Sequence, residues 1–192
     1  MGEQTIETKL RRQLYSFIIA RCRRLVQLSG LKEPPFLPQV MAQVQGVRVV
    51  PTLLGPSLSA LLIPIEEGGF IARVNSAHTR ERQNFSLAHE IGHTFLMEPD
   101  ASQVVDRLIG IVGIEEYTKF EETLCHLAAS ELLMPYYVFR QCASQYDFSV
   151  DAVGPLSDIF ATSATATAVR IGQVSPRPCH VILWKHSVQS TP

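Results

Sequence analysis

The spacing of hydrophobic positions changes twice along this chain of 192 residues. In residues 5–28, apolar residues recur every three or four positions, which predicts one amphipathic helix that Gly30 closes. A second, short helix is predicted at residues 38–46, because proline suits a first turn and glycine follows a last one. Residues 47–75 are different, since they contain three apolar or alternating runs of strand length.

These three runs, residues 47–50, 58–65 and 70–75, predict a small antiparallel three-stranded sheet, with Gly68 and Gly69 in a turn before the last strand. Helical spacing then returns. Helices are predicted around residues 84–96, 101–108, 114–133 and 134–144, with two short ones within 149–173 and a final strand at 179–185. Short strands followed by helices indicate an α+β domain with a mainly helical C-terminal half. We divide the chain into an N-terminal helix and linker, residues 1–35, and a single globular unit, residues 36–192.

The segment His89-Glu90-Ile91-Gly92-His93 carries the chemistry that the pattern most clearly indicates. Residues four apart lie on one face of a helix, so His89 and His93 can point at one metal ion. Glu90 would then project beside the ion, where a carboxylate can take a proton from an activated water molecule. The flanking residues are largely apolar, which predicts a buried helix, and Gly92 indicates close packing against another backbone. The spacing therefore predicts a zinc hydrolase, with Glu90 as the catalytic residue.

A catalytic zinc usually has three protein ligands, so a third is needed. The downstream candidates are Glu115, Glu116, Glu121, Glu122, His126, Glu131, His180 and His186. Glu122 shares a predicted inward helix face with small and apolar residues, whereas Glu121 falls off that face. An inward carboxylate needs a partner or a metal, so Glu122 is predicted as the third ligand.

Two blocks of sequence resemble the ImmA/IrrE metallopeptidase family. Residues 81–93, ERQNFSLAHEIGH, are similar to its metal-binding signature, and residues 122–135, ETLCHLAASELLMP, are similar to its second block. The resemblance covers residues 37–170 and implies a zincin-like fold with the third zinc ligand at Glu122. It also implies an endopeptidase that cleaves a helix-turn-helix repressor and so relieves repression in a mobile element or a stress response.

The chain departs from the family pattern at Cys125, where alanine is usual, and at His126, where asparagine or aspartate is usual. His126 could steady a metal-binding histidine from the second shell, bind the metal itself, or be a core residue. We expect zinc, although manganese fits the same ligand types. The predicted strand 70–75 could offer its edge to an extended substrate, which makes Arg73 and Asn75 candidate substrate contacts.

Composition limits the other functions. The net charge of −1 does not favour nucleic acid as a partner. Residues 156–172 resemble a helix-turn-helix, but Arg170 is their one basic residue, so packing against the core is favoured over direct DNA binding. Four scattered cysteines indicate reduced thiols and a cytoplasmic protein, and no apolar run is long enough for a membrane span.

The alternative function is a non-catalytic peptidase-like module that binds a repressor or toxin. The sequence leaves the oligomeric state open.

Overall fold

The computed structural model describes residues 2–66, 68–146 and 148–182 of the chain, with side chains from Thr5 onward. The helices in this part are α1 (Gly2–Leu28), α2 (Pro38–Val44), α3 (Arg80–Leu96), α4 (Pro99–Val112), α5 (Ile114–Leu133), α6 (Tyr136–Ala143), α7 (Val153–Phe160) and α8 (Ala164–Val174). The strands are β1 (Val47–Thr52), β2 (Ala60–Pro64) and β3 (Phe70–Asn75), and short 3-10 helices lie at Ser144–Tyr146 and Val150–Ala152. The predicted α+β, zincin-like class with a helical C-terminal half is confirmed.

The sheet has the order β1-β3-β2 and is mixed. Strand β3 pairs antiparallel with β2 and parallel with β1. The predicted antiparallel sheet is therefore wrong for the β1–β3 pair and correct for β2–β3. The short turn at Gly68 and Gly69 makes β2 and β3 an antiparallel hairpin. The longer connection of residues 53–59 lets β2 lie one strand away from β1, and β3 then fits between them and runs parallel to β1. Hydrophobic alternation does not encode strand direction, so the sequence could not distinguish the two arrangements.

Helix α3 packs against α5, and Gly92 allows the close approach of the two helices. A Cβ atom added to Gly92 would lie 2.9 Å from Ala128 Cβ and 3.1 Å from Cys125 Cα. The close packing predicted for this glycine is thus confirmed. The apolar face of α3 is buried, as its sequence predicted, through Leu87, Ala88, Ile91, Phe95 and Leu96.

Helix α1 lies across α4 and α5 and belongs to the same hydrophobic core. Its predicted apolar stripe is buried through Leu10, Leu14, Ile18, Cys22 and Leu25. On its polar side, Arg21 forms a 2.6 Å ion pair with Glu98, next to the start of α4. Arg11 pairs with Glu7 on its own helix and reaches Glu116 at 3.5 Å. The N-terminal helix therefore packs directly on α4 and α5.

The last helices are joined to α5 by a buried ion pair. Arg170 on α8 donates a 2.7 Å hydrogen bond to Glu131 on α5, and the two side chains are 3% and 8% exposed. Arg170 also donates to the Met134 carbonyl oxygen. The one basic residue of the helix-turn-helix-like segment is thus buried against the core and is not free to contact phosphate. A turn separates α7 from α8, and Ala161 in it adopts a left-handed conformation with φ 51°.

The final strand predicted at residues 179–185 is absent from its described part, because residues 179–182 pair with no strand, and residues 183–185 lie outside the described residues. The four cysteines are free thiols, as predicted; Cys22 and Cys125 are buried, Cys142 is partly buried and Cys179 is exposed. None of the described helices combines the length and apolar character that a membrane crossing requires.

Candidate metal centre

The two histidines of the HExxH segment face each other on α3. The helix begins after Thr79, whose side-chain oxygen accepts a hydrogen bond from the Arg82 backbone N–H. His89 and His93 lie one turn apart on it, and their Nε2 atoms are 3.2 Å apart. Both side chains are mostly buried. The helix therefore presents two imidazole nitrogens to one point.

Glu122 on α5 completes a set of three donors. Its Oε2 lies 3.4 Å from His89 Nε2, and its Oε1 lies 3.7 Å from His93 Nε2. Two ligand atoms at tetrahedral angles around zinc, each about 2.0–2.1 Å from the ion, would be about 3.3 Å apart. The donor separations fit this value to within a few tenths of an ångström. The residues present are thus of the right type and spacing to hold a divalent metal ion.

Glu121 also lies at this site, although the helical pattern predicted that it falls off the inward face of α5. Its Oε1 accepts a 3.0 Å hydrogen bond from His93 Nδ1. The Glu121 side chain is 25% exposed and that of Glu122 is 51% exposed, so the predicted inward Glu122 and outward Glu121 are reversed in burial. The two carboxylates approach His93 from its two ring nitrogens, because neighbouring positions on a helix diverge by about 100°. The signal that could have found Glu121 is its place next to a predicted ligand on a helix that must face α3.

Two further donors lie close by. The Cys125 sulfur lies within 4.8 Å of a ring nitrogen of His89 and of His93. In a second set of three residues, a ring nitrogen of His126 lies within 4.8 Å of a donor atom of His89 and of Glu122. The His126 ring lies 4.9 Å from the His89 ring, centre to centre, and stacks on Phe85 at 5.8 Å. His126 is exposed, so a core role does not describe it. Its position beside His89 suits either of the other two roles.

The pKa values of the two histidines are shifted in opposite directions. Burial, together with nearby His93 and His126, lowers the pKa of His89 to about 4, so His89 is a neutral imidazole near neutral pH. Burial also acts against protonation of His93. For His93, however, the hydrogen bond with Glu121 and the charges of Glu90, Glu121 and Glu122 outweigh burial and raise the pKa. A neutral His89 has a lone pair available for a metal ion.

Glu90 is partly buried beside these residues. Burial raises its pKa, His93 opposes that rise, and the negative charge of Glu122 adds to it. A carboxylate with a raised pKa is a better proton acceptor than an exposed one. The arrangement can therefore bind a metal ion and supply a general base next to it.

Arg73 and Asn75, the two residues expected to contact substrate, both lie on β3 but differ in exposure. Strand β3 is the central strand and is paired on both sides, so the expectation that it offers a free edge is wrong. Arg73 is exposed on β3, and its contact with substrate stays a prediction. The Asn75 side chain is buried, and its amide nitrogen donates to the carbonyl oxygens of Leu54, Gly55 and Leu58. Its hydrogen-bonding groups hold the loop between β1 and β2.

The chain is similar in sequence to two curated metalloproteases. Over 107 residues the chain is 34% identical to the radiation response metalloprotease IrrE of Deinococcus radiodurans, which is 55% of this chain and 31% of that protein. It is 34% identical over 96 residues to the same-named protein of Deinococcus deserti, covering 47% of this chain and 33% of that protein. The chain thus spans about a third of the length of these curated relatives.

A solved structure shares the fold. A Mycobacterium tuberculosis transcriptional regulator superposes with a TM-score of 0.63 at 17% sequence identity, covering 92% of this chain and 54% of that one. The profile of the M78 peptidase family, described as the IrrE N-terminal-like domain, matches residues 42–171, which include the α3 and α5 donors and Glu90. The chain therefore belongs to this family of metallopeptidases.

Proposed function

We propose that the protein is a zinc-dependent endopeptidase in which His89, His93 and Glu122 hold the metal and Glu90 is the general base. The observation that carries this proposal is the convergence of the three donors at 3.2, 3.4 and 3.7 Å, with Glu90 beside them. When bound, zinc would supply Lewis-acid activation of water and of the scissile carbonyl group.

Glu90 and Glu121 would then have separate roles in the reaction. Glu90 takes a proton from the attacking water and can pass it to the leaving amine. Glu121 holds the His93 ring in the orientation that points its Nε2 atom at the metal. Burial of Glu90 favours its acting as a base near neutral pH, because desolvation raises its pKa.

For the substrate, we propose a helix-turn-helix transcriptional repressor in the cytoplasm. Support comes from the family and from the names of the two Deinococcus relatives, which are metalloproteases of a radiation response. Direct DNA binding is not part of the proposal, because Arg170 of the helix-turn-helix-like segment is buried in an ion pair. Manganese in place of zinc would use the same residues.

The first experiment is metal analysis of the purified protein and its variants. We expect about one zinc per chain in the wild type and in Glu90→Gln, and loss of bound metal in Glu122→Ala. Glu115→Ala is the matched control, because this glutamate lies on the same helix in an exposed pair with Lys119. Full metal binding by Glu122→Ala would disprove the ligand set.

The second experiment separates a peptidase from a binding module. The zinc-loaded wild type and Glu90→Gln are incubated with a candidate repressor, and both cleavage and binding are measured. We expect Glu90→Gln to bind the repressor and to leave it intact. Equal cleavage by both proteins would remove Glu90 from the mechanism, and binding without cleavage by the wild type would favour the non-catalytic module.

A further inference from the structure

A pocket of about 540 Å³ opens directly beside the metal centre, between α5 and α8. We call it the α5–α8 pocket. His126 belongs both to its wall and to the donor group with His89 and Glu122. Phe85, one turn before His89 on α3, stacks on the His126 ring and forms another part of the wall. The pocket therefore begins one side chain away from the metal-binding residues.

The wall of the pocket is mostly apolar. Its apolar side chains are Tyr15, Phe85, Leu127, Met134, Ala166 and Val169. The other lining residues within the described part of the chain are neutral polar ones and His126, and no aspartate, glutamate, lysine or arginine is among them. A charged group entering such a site would lose hydration without gaining an opposite charge, whereas an apolar group would be stabilised by burial. The volume lies within the range of about 300–1,000 Å³ found for ligand pockets.

The buried ion pair described above fixes one wall of this pocket. Helix α8 contributes Ala166 and Val169 to the wall, and Arg170, the next residue, ties α8 to Glu131 and to the Met134 carbonyl oxygen. Met134 itself is buried and lines the same pocket. The pocket is thus held open by packing and hydrogen bonds that exist without a ligand, which lowers the cost of binding.

We propose that the α5–α8 pocket receives a large apolar side chain of the peptide substrate, next to the bond that is cut. This inference rests on the peptidase function proposed above. A peptide carbonyl held at the metal centre lies next to His126, so the side chain of an adjacent residue is the group placed to enter the pocket. Specificity then comes from the apolar wall, because a lysine or glutamate side chain would be desolvated there.

The test is a cleavage profile with a library of peptides derived from a whole proteome. New termini produced by the zinc-loaded wild type are sequenced and compared with those from Val169→Glu. We expect wild-type cleavage to be enriched for leucine, methionine and aromatic residues at one position next to the cut bond. In Val169→Glu, cleavage of these peptides should fall by about tenfold or more, with a shift toward lysine and arginine at that position.

The matched control is Val150→Glu. Val150 is 81% exposed and lies outside the α5–α8 pocket, and Val169 is 39% exposed, so both positions accept the new charge without disturbing the core. We expect the Val150→Glu profile to equal that of the wild type. Absence of any cleavage by the wild type would overturn the peptidase function and this inference with it. Cleavage with the same residue preference in wild type and Val169→Glu would overturn the pocket assignment alone.

A second measurement does not depend on catalysis. The methyl resonances of Ala166 and Val169 are followed by NMR in the Glu90→Gln protein during titration with N-acetylphenylalanine amide and, separately, N-acetyllysine amide. We expect the phenylalanine derivative to shift both residues, the lysine derivative to leave them unchanged, and the Val150 methyls to report no binding. Equal shifts with the two compounds, or none with either, would contradict an apolar-selective pocket.

Discussion

Glu121 and His93 form a carboxylate–imidazole pair in which His93 Nδ1 donates to Glu121 Oε1 at 3.0 Å. The hydrogen bond fixes the tautomer of His93 and leaves its Nε2 atom free for a metal ion. Glu121 and Glu122 are neighbours in sequence, yet Glu121 contacts the Nδ1 atom of His93 and Glu122 lies on the Nε2 side of the same ring.

We expect Glu121→Gln to bind zinc about 10–100-fold more weakly than the wild type, because the neutral amide holds the imidazole less firmly and lowers its basicity. Competition with a chromophoric chelator measures this affinity. Glu115→Gln serves as the control, since Glu115 contacts only the exposed Lys119 among the described partners. An unchanged zinc affinity in Glu121→Gln would show that the pair has no role in metal binding.

The predicted effect of Gly92→Ala is destabilisation by about 1–3 kcal/mol, because its new Cβ would overlap Ala128 and Cys125. The intrinsic helix preference of alanine works in the opposite direction, by about 1 kcal/mol. Urea denaturation gives the free energy of unfolding. Gly110→Ala is the matched control within a helix, since a Cβ there meets nothing within 4 Å, and it should be neutral or slightly stabilising. If both variants were stabilised, α3 and α5 would not be in the close contact described.

Arg170→Ala should destabilise the protein by about 3–5 kcal/mol, because it leaves Glu131 buried without its partner. The double variant Arg170→Met with Glu131→Leu removes both charges and should recover much of the loss. Chemical denaturation of the three proteins measures this difference. A single and a double variant of equal stability would mean that the charge left behind on Glu131 is not what costs stability.

The thiols should react with iodoacetamide in the order of their exposure. Burial raises the pKa of Cys22 and of Cys125 well above the ordinary value, and nearby glutamates add to the rise, so neither forms a thiolate at mildly alkaline pH. Burial also raises the pKa of Cys142. We expect peptide mapping to show Cys179 modified first, Cys142 later, and the two buried thiols only after unfolding. Early modification of Cys125 in the folded protein would contradict its burial.

Helix α1 offers a test of the boundary that the sequence places at residue 35. Because α1 buries five apolar side chains against the core, we expect residues 36–192 alone to lose cooperative unfolding in thermal scans. Leu14→Ala in the full chain should cost about 2–5 kcal/mol, and Arg12→Ala, on the exposed side of α1, should cost little. A stable, cooperatively folded fragment would establish residues 36–192 as an independent unit.

The sequence predicted the presence of the helices well because apolar residues recur at helical spacing along them. Helix α3 could be predicted from local signals alone. The four-residue spacing puts His89 and His93 on one helix face, and the lack of a side chain at Gly92 indicates close packing there. The placing of Glu122 beside the histidines also agrees with the prediction. Its role as a ligand stays a proposal until metal binding is measured.

Other features could not be read from the sequence, for physical reasons. A helical periodicity assigns residues to a face, but which of Glu121 and Glu122 is more buried depends on how α5 packs against its neighbours. Strand direction depends on long-range pairing, so the parallel contact between β1 and β3 left no local signal. The central position of β3, which removes its free edge, has the same origin.

Helix α5 carries Glu121 and Glu122 near its middle and Glu131 near its end. One residue inserted or deleted between Glu122 and Glu131 would rotate the two groups relative to each other by about 100°. Glu121 and Glu122 could then not face the histidines of α3 while Glu131 faces Arg170. The two contacts therefore depend on the number of residues between Glu122 and Glu131, so this segment tolerates substitutions better than insertions or deletions.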